Sequence, residues 1–137
     1  MGSVHAKITL RNGADIVLAR KGHIPEQNIR SFDVTALVDT GATTLVISEE
    51  MRKKLGLDFI GTRTVTLAGG SKASCGITEP VQICWKDRTS ITSPWVMPEE
   101  EDTLLGVIPL EEMDLIVDPI NQELVGAHGD KAMGRIK

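Results

Sequence analysis

Tyrosine is absent from this chain of 137 residues, and cysteine and histidine number only two and three. Cys75 and Cys84, without a secretion signal, read as reduced small hydrophobes rather than as a disulfide or a metal pair. His5, His23 and His128 lack ligand spacing, so no metal site is supported and no cofactor is expected. Long apolar runs are missing too: none approaches the roughly 20 residues of a bilayer-spanning helix. The start, Met1-Gly2-Ser3-Val4-His5-Ala6, has no charged segment leading into an apolar one, and Ala6 stands where a myristoylation signal needs a hydroxyl. No membrane association is expected, and a cytoplasmic location follows by default. Charge of one sign is also lacking. The net charge of −4 is spread through mixed acids and bases, which gives no electrostatic footprint for nucleic acid.

What is present has the size of one domain, expected to span residues 1–137 with a core over about 6–126 and a polar C-terminal tail. One stretch stands out. Ala36-Leu37-Val38 and Leu45-Val46-Ile47 read as two short buried strands, and between them lies Asp39-Thr40-Gly41-Ala42-Thr43-Thr44. Gly41 permits a tight turn there, which leaves the Asp39 carboxylate at the edge of a core. A carboxylate in that position needs hydrogen-bond donors or a second acid with which to share a proton. The hydroxyls of Thr40 and Thr43 and the amides of Gly41 and Ala42 are the nearest donors.

Asp39-Thr40-Gly41-Ala42 resembles the active-site turn of aspartic peptidases, and its apolar frame resembles the retropepsin-like branch, including its bacterial members. A second motif points the same way: Thr103-Leu104-Leu105-Gly106, followed by a short helix beginning near Pro109, resembles the hydrophobic-hydrophobic-Gly signature of retropepsins. The resemblance covers residues 32–125 and implies a mainly β protein with one or two short helices, the closed β-barrel of the acid protease fold. It implies Asp39, Thr40 and Gly41 as the catalytic turn. It also implies Ala42, Thr43, the flap tip Ala68-Gly69-Gly70-Ser71, and Leu104, Leu105 and Gly106 as residues around the substrate. The flap tyrosine of pepsin-like enzymes has no counterpart, as in viral retropepsins.

The remaining elements are expected as follows. Residues 6–11 and 15–20 alternate apolar with polar, and Asn12-Gly13 between them predicts an opening β-hairpin. Residues 21–30 predict a loop, and Ser48 predicts the cap of a helix that ends at Gly56 and supports the Asp39 turn. The Gly69-Gly70 pair predicts a hairpin between residues 62–67 and 72–76, with strand continuing over 77–85. Residues 86–90 predict a turn and 91–97 a strand with Trp95 packed inward. Glu99-Glu100-Glu101-Asp102 forms an acidic loop, which in the family lines the substrate cleft. Asn121 is expected to break a last pair of strands.

Peptide hydrolysis by this chemistry needs two carboxylates, one to take a proton from water and one to protonate the scissile carbonyl. Neither Asp118-Pro119 nor Asp130-Lys131 repeats the Asp-Thr-Gly turn. The resemblance therefore implies a homodimeric endopeptidase with one Asp39 from each subunit, acting on peptide or protein substrates. Two alternatives stay open at this stage: a protease-fold module that binds extended peptides without turnover, and a structural β-domain whose Asp-Thr-Gly is accidental.

Overall fold

Alternation at the start of the chain builds a strand, β1 (His5–Asn12), whose Ala6, Ile8 and Leu10 are buried. The computed structural model describes residues 3–136, so the readings of Met1, Gly2 and Lys137 lie outside the described residues. The expected hairpin does not form: residues 13–20 are a helix, α1 (Gly13–Arg20). A two-residue hairpin turn needs positive φ at its central residues, whereas Asn12 is extended at φ −63° and serves as the cap of α1. Its side chain accepts the Asp15 amide at 3.0 Å and donates from Nδ2 to the Leu55 carbonyl at 2.7 Å. A buried Asn satisfied in both directions outweighs the alternation read over 15–20.

The strand that pairs with β1 on one side is therefore β2 (Ser31–Val38), reached through a loop with one 3-10 turn at Glu26–Asn28. The chain continues through β3 (Val46–Ile47) to α2 (Glu49–Leu55), where Ser48 accepts the Met51 amide and Gly56 ends the helix in the left-handed conformation. Next come β4 (Phe59–Thr66) and β5 (Lys72–Thr78), an antiparallel hairpin as expected. Glu79 and Pro80 separate β5 from β6 (Val81–Trp85), so 77–85 is not one strand. Only Lys86 and Asp87 make the following turn, with Lys86 at φ +51°, and β7 (Arg88–Thr92) takes up the rest of the turn expected over 86–90 and the start of the strand expected over 91–97. Pro94 interrupts the chain before β8 (Trp95–Val96).

The last elements are β9 (Leu104–Leu105), α3 (Val107–Glu112), β10 (Leu115–Asp118) and β11 (Glu123–Gly126). Nine strands form one sheet in the order β4-β5-β8-β3-β9-β2-β1-β6-β7, strongly curled into a half-barrel, while β10 and β11 pair separately. The core inside the curl is built from Leu10, Leu45, Ile47, Leu55, Ile83 and Leu105, each fully buried. The fold is thus mainly β, with the third helix, α1, beyond the one or two expected. Cys75 and Cys84 lie on β5 and β6, which are not paired with each other, and both thiols are free.

Candidate active site

Asp39 is held by the strand it follows. The Leu37 amide donates to the Thr103 carbonyl at 2.8 Å and the Asp39 amide to the Leu105 carbonyl at 3.0 Å, continuing the parallel pairing of β2 with β9. The chain then turns sharply: the Ala42 amide donates to the Asp39 carbonyl at 3.1 Å, and the Gly41 amide donates to Asp39 Oδ1 at 2.9 Å. One carboxylate oxygen is thereby fixed by a backbone donor of its own turn. A Cβ on residue 41 would stand 3.2 Å from that oxygen, tighter than an ordinary carbon–oxygen contact.

Behind the turn, α3 supplies two donors that a helix start leaves free. The Val107 amide donates to the Ala42 carbonyl and the Ile108 amide to the Thr43 carbonyl, both at 2.9 Å. These bonds require the backbone of Gly106 to press against the turn, where a side chain would meet the carbonyl oxygens of Thr44 and Ala42 at 2.4 and 2.5 Å. The Leu-Leu-Gly motif is therefore the mould of the Asp39 loop. Leu105 and Gly106 are buried behind it and border no open space, whereas Leu104 does.

In front of the turn lies a cleft of about 980 Å³. Its floor is Asp39, Gly41, Ala42 and Thr43, with Val46 and Leu104 beside them. The β4–β5 hairpin forms the roof through Thr64, Val65, Thr66, Leu67 and Ala68. Trp95, Met97, Glu99 and Glu100 make the remaining wall. Of the residues anticipated from sequence, Asp39, Gly41, Ala42, Thr43, Ala68 and Leu104 border this cleft. Thr40 is exposed beside it, and Gly69, Gly70 and Ser71 form the exposed tip of the hairpin beyond it. The tip is a tight turn in which Gly70, at φ +89°, donates to the Leu67 carbonyl at 2.9 Å.

Sequence reasoning did not anticipate Thr64, Thr66, Trp95 or Met97 at the cleft. Trp95 was expected to pack inward but is only half-buried, its ring lining the cleft while the Arg63 guanidinium stacks 5.5 Å from its centre. Nor does α2 simply support the Asp39 turn. It braces the foot of the hairpin, with Arg52 over the Phe59 ring at 4.3 Å and donating to the Leu57 carbonyl at 2.7 Å.

Other chemistries find less support. Burial pushes both cysteine thiols up, away from the thiolate that a nucleophile requires. Among the described residues, no three His, Cys, Asp or Glu side chains are grouped as a metal site would need. Among the described residues, no helix is long and apolar enough to cross a membrane.

A half-barrel that carries Asp-Thr-Gly on a turn, with Leu-Leu-Gly behind it and a hairpin above, is the architecture of a retropepsin-like acid protease lobe. Residues 28–107, more than half of the chain, match the family model described as aspartyl protease, and the chain belongs to that family. The matched span contains the turn, the hairpin and the Leu-Leu-Gly motif. Among solved structures, the retroviral protease-like domain of Ddi1 from Leishmania major is similar over 91% of this chain and 84% of its own, with a TM-score of 0.54. Identity there is 13%, so the likeness is one of fold. No curated protein matches the chain in sequence.

Proposed function

We propose that this protein is an aspartic endopeptidase whose working form is a homodimer with one Asp39 from each subunit in a single site. The observation that carries the reading is the position of Asp39: its carboxylate is fixed by the Gly41 amide on the floor of a cleft that the β4–β5 hairpin roofs. The chemistry calls for two such groups, and this chain has one Asp-Thr-Gly turn. In the dimer, the ionised Asp39 takes a proton from water as the oxygen adds to the scissile carbonyl carbon. The protonated Asp39 of the partner gives its proton to the carbonyl oxygen. As the C–N bond breaks, a hydroxyl of the tetrahedral carbon returns its proton to the partner's Asp39 and the leaving nitrogen takes the proton that the first Asp39 drew from water, so the dyad again holds one proton.

Within that arrangement Thr40, exposed next to Asp39, binds across the two-fold axis to the partner's turn. Gly41 leaves room for the water and accepts substrate hydrogen bonds through its carbonyl. The hairpin tip, Ala68 to Ser71, closes over the peptide, which pairs with β4 and β5 residues as an added strand. Ala42, Thr43 and Leu104 contact the peptide from below, and Leu105 and Gly106 act from behind by shaping the turn.

Asp39→Asn tests the proposal, because the amide is nearly isosteric but cannot act as the base. Loss of peptide cleavage by at least about 1000-fold, with an unchanged thermal midpoint, is the expected outcome. Cleavage by pure Asp39→Asn protein at a rate near wild type would reject the protease reading. Tight peptide binding with no turnover by wild type or variant would instead point to a binding module.

A further inference from the structure

Residues 99–102 are all acidic, but only Glu99 and Glu100 border the cleft; Glu101 and Asp102 do not. Along the same wall, Glu99 and Glu100 follow Trp95 and Met97, two large apolar side chains. One stretch of wall therefore offers an apolar surface that ends in carboxylates. That combination complements a side chain with a long aliphatic stem and a cationic head.

The bordering residues include three carboxylates, with Asp39, and no lysine, arginine or histidine. The four ion pairs among the described residues all lie elsewhere, so neither glutamate has a cation of its own. Arg63 stacks on Trp95 and makes no ion pair with Glu99 or Glu100. Glu100 is also held in place: its amide donates to the Met97 carbonyl at 3.0 Å, and its Oε1 accepts the Asp102 amide at 3.2 Å. A fixed carboxylate with no internal cation is available to a ligand without first breaking a pair.

We infer that Trp95, Met97, Glu99 and Glu100 form a specificity subsite that selects peptides carrying lysine or arginine. The inference rests on the peptidase reading and specifies its substrate class. The stem of the basic residue lies against Trp95 and Met97, and its head reaches Glu99 and Glu100. Exposed charge pairs contribute modestly, so the two glutamates together favour lysine about threefold to tenfold over an uncharged residue of the same length. The preference shrinks as salt rises, because the pairing is open to solvent.

The test uses peptides that carry lysine, norleucine or glutamate at each position in turn, since norleucine keeps the stem of lysine and lacks its amine. The quantity read is the lysine-to-norleucine ratio of kcat/KM at the most sensitive position. Wild type should show the threefold to tenfold ratio at low salt, falling toward one at high salt. Glu99→Gln/Glu100→Gln should bring the ratio close to one, and Glu101→Gln/Asp102→Asn should keep most of it. A ratio near one at every position in wild type, or an unchanged ratio in Glu99→Gln/Glu100→Gln, overturns the subsite while leaving the peptidase reading intact. If wild type cleaves none of the peptides, the peptidase reading fails. The same ratio is then measured as binding of fluorescent peptides to the Asp39→Asn protein, where its presence supports the subsite and its absence overturns it.

Discussion

Gly106 and Ala42 touch backbone to backbone: a Cβ on residue 106 would stand 2.5 Å from the Ala42 carbonyl oxygen. The contact couples the start of α3 to the turn that carries Asp39, so the catalytic loop is shaped by a segment more than sixty residues downstream in sequence.

Gly106→Ala should therefore cost more than an ordinary overpacked methyl group. Overpacking usually destabilises by about 1–3 kcal/mol. Here the obstacles are the Ala42 and Thr44 carbonyls and the Thr44 amide, none of which can rotate away as a side-chain end would. We expect a loss of about 3 kcal/mol or more in urea denaturation, with peptide cleavage falling by a larger factor than the Leu104→Ala variant shows. A variant as stable as wild type would mean that the turn and α3 are free to separate.

The pair Asp15–Arg30 yields a pH prediction. Arg30 donates to Asp15 from Nε at 2.8 Å, from Nη2 at 2.9 Å and from its backbone amide at 3.0 Å, and these bonds hold the Asp15 carboxyl below the usual carboxylate range. A carboxyl with a depressed folded pKa contributes stability above its unfolded value, near pH 4, and loses it as pH falls through the folded value. Wild type should thus lose stability progressively below about pH 4. Asp15→Asn should be less stable at neutral pH and show a flatter acid limb in chemical denaturation from pH 7 to pH 2. Parallel acid limbs would show that this pair does not contribute to the decline.

The same corner of the molecule shows where the sequence could and could not be read. The turn at Asp39, the helix capped by Ser48, the Gly-Gly hairpin and the Leu-Leu-Gly strand were all legible, because each is fixed by local chemistry: an Asp-Thr-Gly turn, a cap, a left-handed glycine, a close approach. The α1 helix was not. Asn12-Gly13 has the composition of a hairpin turn, and only its distant partners, Leu55 and Pro80, decide otherwise. Trp95 and Thr64 were missed at the cleft for a related reason. Which face of a short strand meets the cleft depends on how the sheet curls, and nothing within five residues of Trp95 records that curl.

Arg88 is a second long-range determinant that a polar stretch of sequence concealed. It is buried, and its guanidinium donates to the carbonyls of Met113 at 3.1 Å, Asp114 at 2.6 Å and Gly129 at 2.5 Å. One side chain thus ties β7 to the end of α3 and to the segment after β11. Arg88→Met keeps the apolar stem and leaves those acceptors unpaired, which should cost about 2–4 kcal/mol. Hydrogen exchange should accelerate most in β10, β11 and the residues after them, while β1 and β2 change only through the global loss. Uniform acceleration across all strands would show that Arg88 does not fasten this end in particular.

The dimer proposal makes the most decisive prediction, because it concerns how many Asp39 carboxylates a working site contains. If each site needs two subunits, activity per mole of chain must fall on dilution once the concentration drops below the dissociation constant, approaching tenfold for each tenfold dilution. Joining two copies of the chain with a long flexible linker should remove that dependence, since the second half-site is then supplied at a fixed effective concentration. The linked protein also permits a change that the free one does not: Asp39→Asn in one copy alone. With both aspartates present, the linked protein should be active and insensitive to dilution. With one replaced, cleavage within the linked molecule should fall by at least about 100-fold, because the remaining acid cannot serve as base and proton donor at once. Light scattering at the assay concentration must show the linked molecules to be monomeric, so that two intact halves do not meet in trans. Full activity from the singly substituted protein under those conditions would show that one carboxylate suffices, and the two-fold mechanism would have to be abandoned.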